Sequence, residues 1–173
     1  MILGLHHVTA IAGDPQRNLE FHAAVLGLRL VKTTVNFDDP TTYHLYYGDE
    51  LGRPGTLMTF FPWPAAAHRG RSGTGQITVT SFSIPEGSAG YWRKRLQEHR
   101  VETGPSAERF GNEVITLFDP DGFAYELIAS SPPGGGPDDH AIRGLHGVTL
   151  TELAPELTAQ FLAHALAFRP AGE

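Results

Sequence analysis

Part of this chain is written twice. Residues 4–9, GLHHVT, return at 144–149 as GLHGVT, and the offset of 140 residues then persists without a gap. Under it Phe21 falls on Phe161, Leu26 on Leu166 and Arg29 on Arg169. Self-similarity at a fixed spacing constrains a fold strongly, because each copy must be the same supersecondary unit. The stretch from about Arg143 to Glu173 therefore begins another copy of the N-terminal unit, with room for one strand and one helix.

A weaker repeat lies within the first 130 residues. LHHVTAIAG reads as a strand, and Asp14 and Pro15 follow as an N-cap and N1 pair. Leu19, His22, Ala23 and Leu26 carry the helical period, which Gly27 closes. LRLVKTTVNF, TYHLYYG and TLMTFF then read as strands separated by turn residues. After the Pro/Gly/Arg-rich residues 62–75 the order starts again. GQITVTSFSI is a strand, and GSAGYWRKRLQEHR is a helix opened by Ser88. VETGPSAERFG, NEVITLFD and FAYELIAS complete the unit, with DPDG (119–122) as a hairpin turn between the last two. Both halves read β-α-β-β-β, an α+β fold of paired modules at about 1–62 and 74–130. Residues 131–140 have no periodicity and read as a linker, and 141–173 as the partial start of a second domain.

Composition narrows the chemistry. The chain has no cysteine, so thiolate metal sites, iron–sulfur clusters and cysteine nucleophiles are excluded, while nine histidines are available as ligands. A net charge of -6 argues against a nucleic-acid partner, and HRGRSG (68–73) reads as a solvated loop. Apolar runs are too short to span a membrane, and the N-terminus lacks the pattern of a signal peptide. The expected location is the cytoplasm. Neither a GxSxG elbow, a Walker loop nor HExxH occurs.

What remains is His6 beside His7 in an apolar strand. Neighbours on a strand face opposite ways, so the two are not expected to chelate one ion together. Aligning the modules puts Thr78 opposite His7 and Thr59 opposite Glu126. The first module then has a histidine on its first strand, and the second an acid on its last. The two would be metal donors if the modules closed into one cup. Satisfied strand histidines and an exposed Glu126 are the plainer alternatives, and His44 reads as a packing or pocket-lining residue.

The ordered motifs LHHVT, FHAAVLGLRL and FDPDGFAYELI resemble the vicinal oxygen chelate superfamily of glyoxalases, bleomycin-resistance proteins and extradiol dioxygenases. The stretch LVKTTVNFDDPTTYHLYYGDELGRPGTLMTFFPW, with GRSGTGQ and ERFG, is similar to its hydroquinone-type ring-cleaving dioxygenases. That resemblance implies Fe(II), or Mn(II), held by two histidines and a glutamate, and a small aromatic substrate with O2. It places His7 as a metal ligand, His6 as the neighbouring acid/base group, and Glu126 where other members put a ligand. The subgroup has four modules, whereas this chain stops inside a third. The expectations are thus a ring-cleaving dioxygenase or its N-terminal part. The alternatives are a small-molecule binding or resistance-type protein, or an inactive remnant. His7 and Glu126 should share a cavity, with His6 opposite or at its edge. Self-association through the tail should cover the stripe Leu157, Phe161, Ala165 and Phe168.

Overall fold

The computed structural model describes residues 2–63, 70–130 and 140–172, so the segment read as a linker lies outside them except for His140. The first module runs β1 (His7–Ala12), α1 (Pro15–Leu19), a π-helical turn (Glu20–Val25), β2 (Arg29–Val35), β3 (Tyr43–Gly48) and β4 (Leu57–Pro62). The second runs β5 (Gln76–Ile84), α2 (Ala89–Glu98), β6 (Ala107–Arg109), β7 (Asn112–Phe118) and β8 (Ala124–Ala129). The third copy supplies β9 (Gly144–Thr151) and α3 (Pro155–Leu166). The two β-α-β-β-β units follow the sequence reading.

Local chemistry sets the helix ends. The Asp14 carboxylate accepts the Arg17 amide at 2.8 Å, Pro15 opens the helix, and Gly27 leaves it at φ +70°. Ser88 stands at the N-cap of α2, but its hydroxyl donates backwards to the Pro85 carbonyl at 2.6 Å. The π-turn was not legible in the sequence. There the Leu26 amide reaches the Phe21 carbonyl at 3.0 Å, and Phe21, His22 and Val25 all turn inward.

In each module the first strand runs parallel to the last, giving the orders β1-β4-β3-β2 and β6-β7-β8-β5. β9 then adds to the second sheet, antiparallel to β5. The segment from Gly144 thus extends the second module's sheet. Among the described strands, β1 pairs only with β4.

Alternate residues of the strands bury against the helices in one core that includes Val8, Phe60, Phe82, Trp92, Leu117 and Leu127. Its centre joins the modules. His22 of the first is wholly buried between Tyr47 and Phe60, and Phe21 stacks on Tyr125 of the second at 6.3 Å. The Asp121 carboxylate accepts the Gly13 amide at 2.9 Å, and Arg95 donates to the carbonyls of Ala24 and Val25. At the other end, Gly144 approaches so closely that a Cβ there would lie 2.8 Å from the Gly55 carbonyl oxygen. That oxygen accepts the Leu145 amide at 2.7 Å, and the Gly55 amide donates to the His6 carbonyl at 2.8 Å. The glycine at the start of β9 is therefore required, and it ties the third copy to the turn that holds His6.

α3 is different. None of its residues is buried, and Leu157, Phe161 and Phe168 along the expected stripe are exposed. Among the described residues, no helix is long and apolar enough to cross a membrane.

Candidate functional site

β1 begins at His7, so strict alternation does not govern His6. The His6 ring, in the irregular segment before the strand, meets the His7 ring edge to face. Their centroids are 5.2 Å apart and the two Nδ1 atoms 3.1 Å apart, in a hydrogen bond that one ring donates. Both residues are exposed. From His7 onward alternation holds: Val8 is buried toward the helix, while His7, Thr9 and Ile11 lie on the open face of the first sheet.

Thr59, Phe61, His44 and Tyr46 share that face, as the register of β3 and β4 requires. Their side chains form an ordered chain. Thr9 Oγ1 and Thr59 Oγ1 are 2.9 Å apart, Thr59 Oγ1 lies 3.1 Å from His44 Nε2, and Tyr46 Oη lies 2.8 Å from His44 Nδ1. Phe61 stacks on the His44 ring at 4.0 Å. The His44 pKa is lowered, first by burial and then by the charges of His7 and Lys32, which favours the neutral ring.

Glu126 has other company. It is buried on the open side of the second sheet, where both carboxylate oxygens accept from Arg109, at 2.7 and 2.8 Å. Oε2 also accepts the Ser81 hydroxyl at 2.7 Å. Across Ser81 in the register stands Gly147, the third-copy counterpart of His7. His146, the counterpart of His6, lies 3.2 Å from the Ser83 hydroxyl and feels the charges of Arg109 and Glu126.

The structure brings His6 and His7 together, and among the described residues the hydrogen bonds of Glu126 go to Ser81 and Arg109 and not to either histidine. The two groups lie in different sheets. In the second sheet β5 lies between β8 and β9, so Ser81 stands between Glu126 and Gly147 in the register. The ladders also shift one sequence equivalence. His7 pairs with Leu57 and Val79 with Ala124, so with Thr59 and Glu126 matched, Val79 takes the place of His7, where the alignment had put Thr78. Arg109, Ser81 and Thr59 were missed as site residues. The alternation of His44 and Tyr46 in TYHLYYG does place both on one face, but nothing local marks Arg109 as the partner of an acid 17 residues on.

The donor set can be tested against a metal. His7 offers one exposed imidazole. Glu126 is already neutralised by a guanidinium. Among the described residues, no three His, Cys, Asp or Glu side chains converge to hold an ion. Alone, these residues do not fit a centre of two histidines and a carboxylate.

Residues 4–127 match the family model described as Glyoxalase/Bleomycin resistance protein/Dioxygenase superfamily. The chain is 45% identical to the Bacillus subtilis protein named "Putative ring-cleaving dioxygenase MhqO", over 99% of this chain and 56% of that protein. It is 36% identical to the chlorohydroquinone/hydroquinone 1,2-dioxygenase of Sphingobium indicum, over 98% of this chain and 56% of that protein. A B. subtilis crystal structure described as a "putative dioxygenase" superposes with a TM-score of 0.92 at 44% identity, covering 99% of this chain and 57% of that one. The chain thus spans a little over half the length of these relatives. The fold alone is shared with the fosfomycin resistance protein FosX of Listeria monocytogenes, at 18% identity and a TM-score of 0.54.

Proposed function

Because this chain belongs to the glyoxalase/bleomycin resistance protein/dioxygenase superfamily, we propose that it is a ring-cleaving dioxygenase of the extradiol type. Its substrates would be hydroquinone- or catechol-like aromatics and O2. The observation that carries this reading is end-to-end similarity to proteins named as ring-cleaving dioxygenases. The open face of the first sheet is the half that takes part, and the cytoplasm is the assigned location.

On this reading His7 would be one ligand of a metal, Fe(II) or alternatively Mn(II), which when bound would supply activation of the aromatic diol and O2. Glu126 is assigned a structural role, since Arg109 and Ser81 already satisfy it. His6, in hydrogen-bond contact with His7, orients that ring and takes or returns a proton. Phe61 and His44 offer a flat surface beside the pair.

The test is oxygen consumption with hydroquinone or catechol after loading with Fe(II), and separately with Mn(II). Uptake that is lost in His7→Ala and kept in Glu126→Gln supports the proposal. Binding of the aromatic without oxygen uptake would favour a non-catalytic binding protein.

A further inference from the structure

We propose that Thr9, Thr59, His44 and Tyr46 form a proton relay along the first sheet, carrying a proton between the His6–His7 end of the open face and the Tyr46 hydroxyl. The proposal rests on the reading of that face as the reactive one and adds residues that the reading does not use.

The geometry is continuous. Three successive contacts of 2.9, 3.1 and 2.8 Å link four side chains from β1, β4 and β3. Every link is within hydrogen-bonding distance, and every member can both donate and accept. Hydroxyls do so by rotation, and a neutral imidazole does so through its two nitrogens. Thr59 is wholly buried, and the half-buried His44 ring stacks against Phe61. Both ends reach water, because Thr9 is exposed and Tyr46 half-buried. Thr9 lies two residues beyond His7 on the same face, about 7 Å along the strand.

The step balances with no other reactant. A proton arrives at Thr9 Oγ1, and Thr9 passes its own hydroxyl proton to Thr59. Thr59 passes its proton to His44 Nε2, and His44 releases the Nδ1 proton to Tyr46 Oη, which sheds one to water. One proton crosses, and no bond other than those to hydrogen changes. The two polarities of the chain correspond to the two neutral tautomers of His44. Before transfer Nδ1 carries the proton, and after transfer Nε2 carries it.

The experiment is ¹⁵N NMR of the His44 ring at neutral pH in the full chain and two variants. In the wild type both ring nitrogens should resonate between the protonated and unprotonated positions, reporting exchange. Tyr46→Phe removes the partner of Nδ1 and should shift the proton fully to Nε2. Thr59→Val, nearly isosteric, removes the partner of Nε2 and should shift it fully to Nδ1. If Thr59→Val fails to fold, Tyr46→Phe at the wetter end decides alone. A wild-type His44 fixed in one tautomer, unmoved by either change, overturns the relay. Where oxygen uptake is measurable, Tyr46→Phe should lower kcat and shrink its solvent isotope effect with KM unchanged, and an unchanged isotope effect would also overturn it. Loss of all oxygen uptake in the wild type counts against the dioxygenase reading, while the tautomers still decide the relay.

Discussion

The two modules have the same strand order, yet their open faces are built on opposite principles. In the first, Thr59 occupies the central position of β4 and joins a neutral chain of hydroxyls and imidazole beside the exposed His6–His7 pair. In the second, the equivalent position is Glu126, a buried charge closed off by Arg109 and Ser81. Neutral groups with both donor and acceptor capacity can pass protons. A carboxylate saturated by a guanidinium is a structural cross-link, here between the edge strand β6 and the inner strand β8. Duplicated architecture therefore does not imply duplicated chemistry, and the first face is the one left available.

The contrast extends into the buried layer, where the largest effect is expected. His22 is held neutral: its Nδ1–H donates to the Asn18 carbonyl at 2.8 Å, and Nε2 accepts from the Tyr125 hydroxyl at 3.2 Å. Burial lowers its pKa from 6.5 to about 4. The unfolded chain binds that proton more readily, so stability is lost as pH falls from 6.5 to about 4, by about 3 kcal/mol. Asp119 does the reverse. Burial raises its pKa from 3.8 to about 6, against the pull of amide donors from Phe123 and Asp121. Its folded form takes the proton first, so stability is gained as pH falls through that window, by a similar amount of about 3 kcal/mol. Urea unfolding across mildly acidic pH should show a nearly flat wild type, with stability falling on acidification in Asp119→Asn and rising in His22→Leu. A wild type as acid-sensitive as Asp119→Asn would remove the Asp119 contribution.

Next in size is Arg109→Met, which leaves the Glu126 charge buried. A loss of about 2–3 kcal/mol in urea unfolding is expected, below the cost of breaking a fully buried pair, because the Arg109 side chain is 43% exposed. On the other face Thr59→Val removes a hydroxyl from a neutral chain and should cost about 1 kcal/mol in the same assay. If the two substitutions cost the same, the contrast between the faces fails. The smallest effect concerns association alone. Phe161→Asp on the exposed face of α3 should weaken concentration-dependent self-association in sedimentation velocity without altering the unfolding midpoint.

The elements were legible because periodicity, caps and turn residues are local. Asp14, Pro15, Gly27 and DPDG act where they stand, and the offset of 140 residues foretold β9 and α3. Conditions set by distant partners were not legible. The π-turn forms where His22 meets Tyr125. The third copy, with Leu162 in place of His22, stays α-helical. The same limit applies to the site. Sequence alone named His6, His7 and Glu126 as residues capable of chemistry, but not which first strand would lie beside which last strand. That pairing, settled by β9 lying along β5, leaves Ser81 between Glu126 and Gly147 in the register, while Arg109 reaches Glu126 from the edge strand β6.

The central claim is that metal chemistry belongs to the face of His7 and not to that of Glu126. Titrating Mn(II) into ¹⁵N-labelled protein tests it directly, because paramagnetic broadening reports where the ion dwells even when binding is weak. The expected result is broadening centred on His6, His7 and Thr9, abolished in His7→Ala, with Ser81, Glu126 and Gly147 unaffected. Broadening centred on Glu126 and its neighbours, with β1 sharp, would contradict the account.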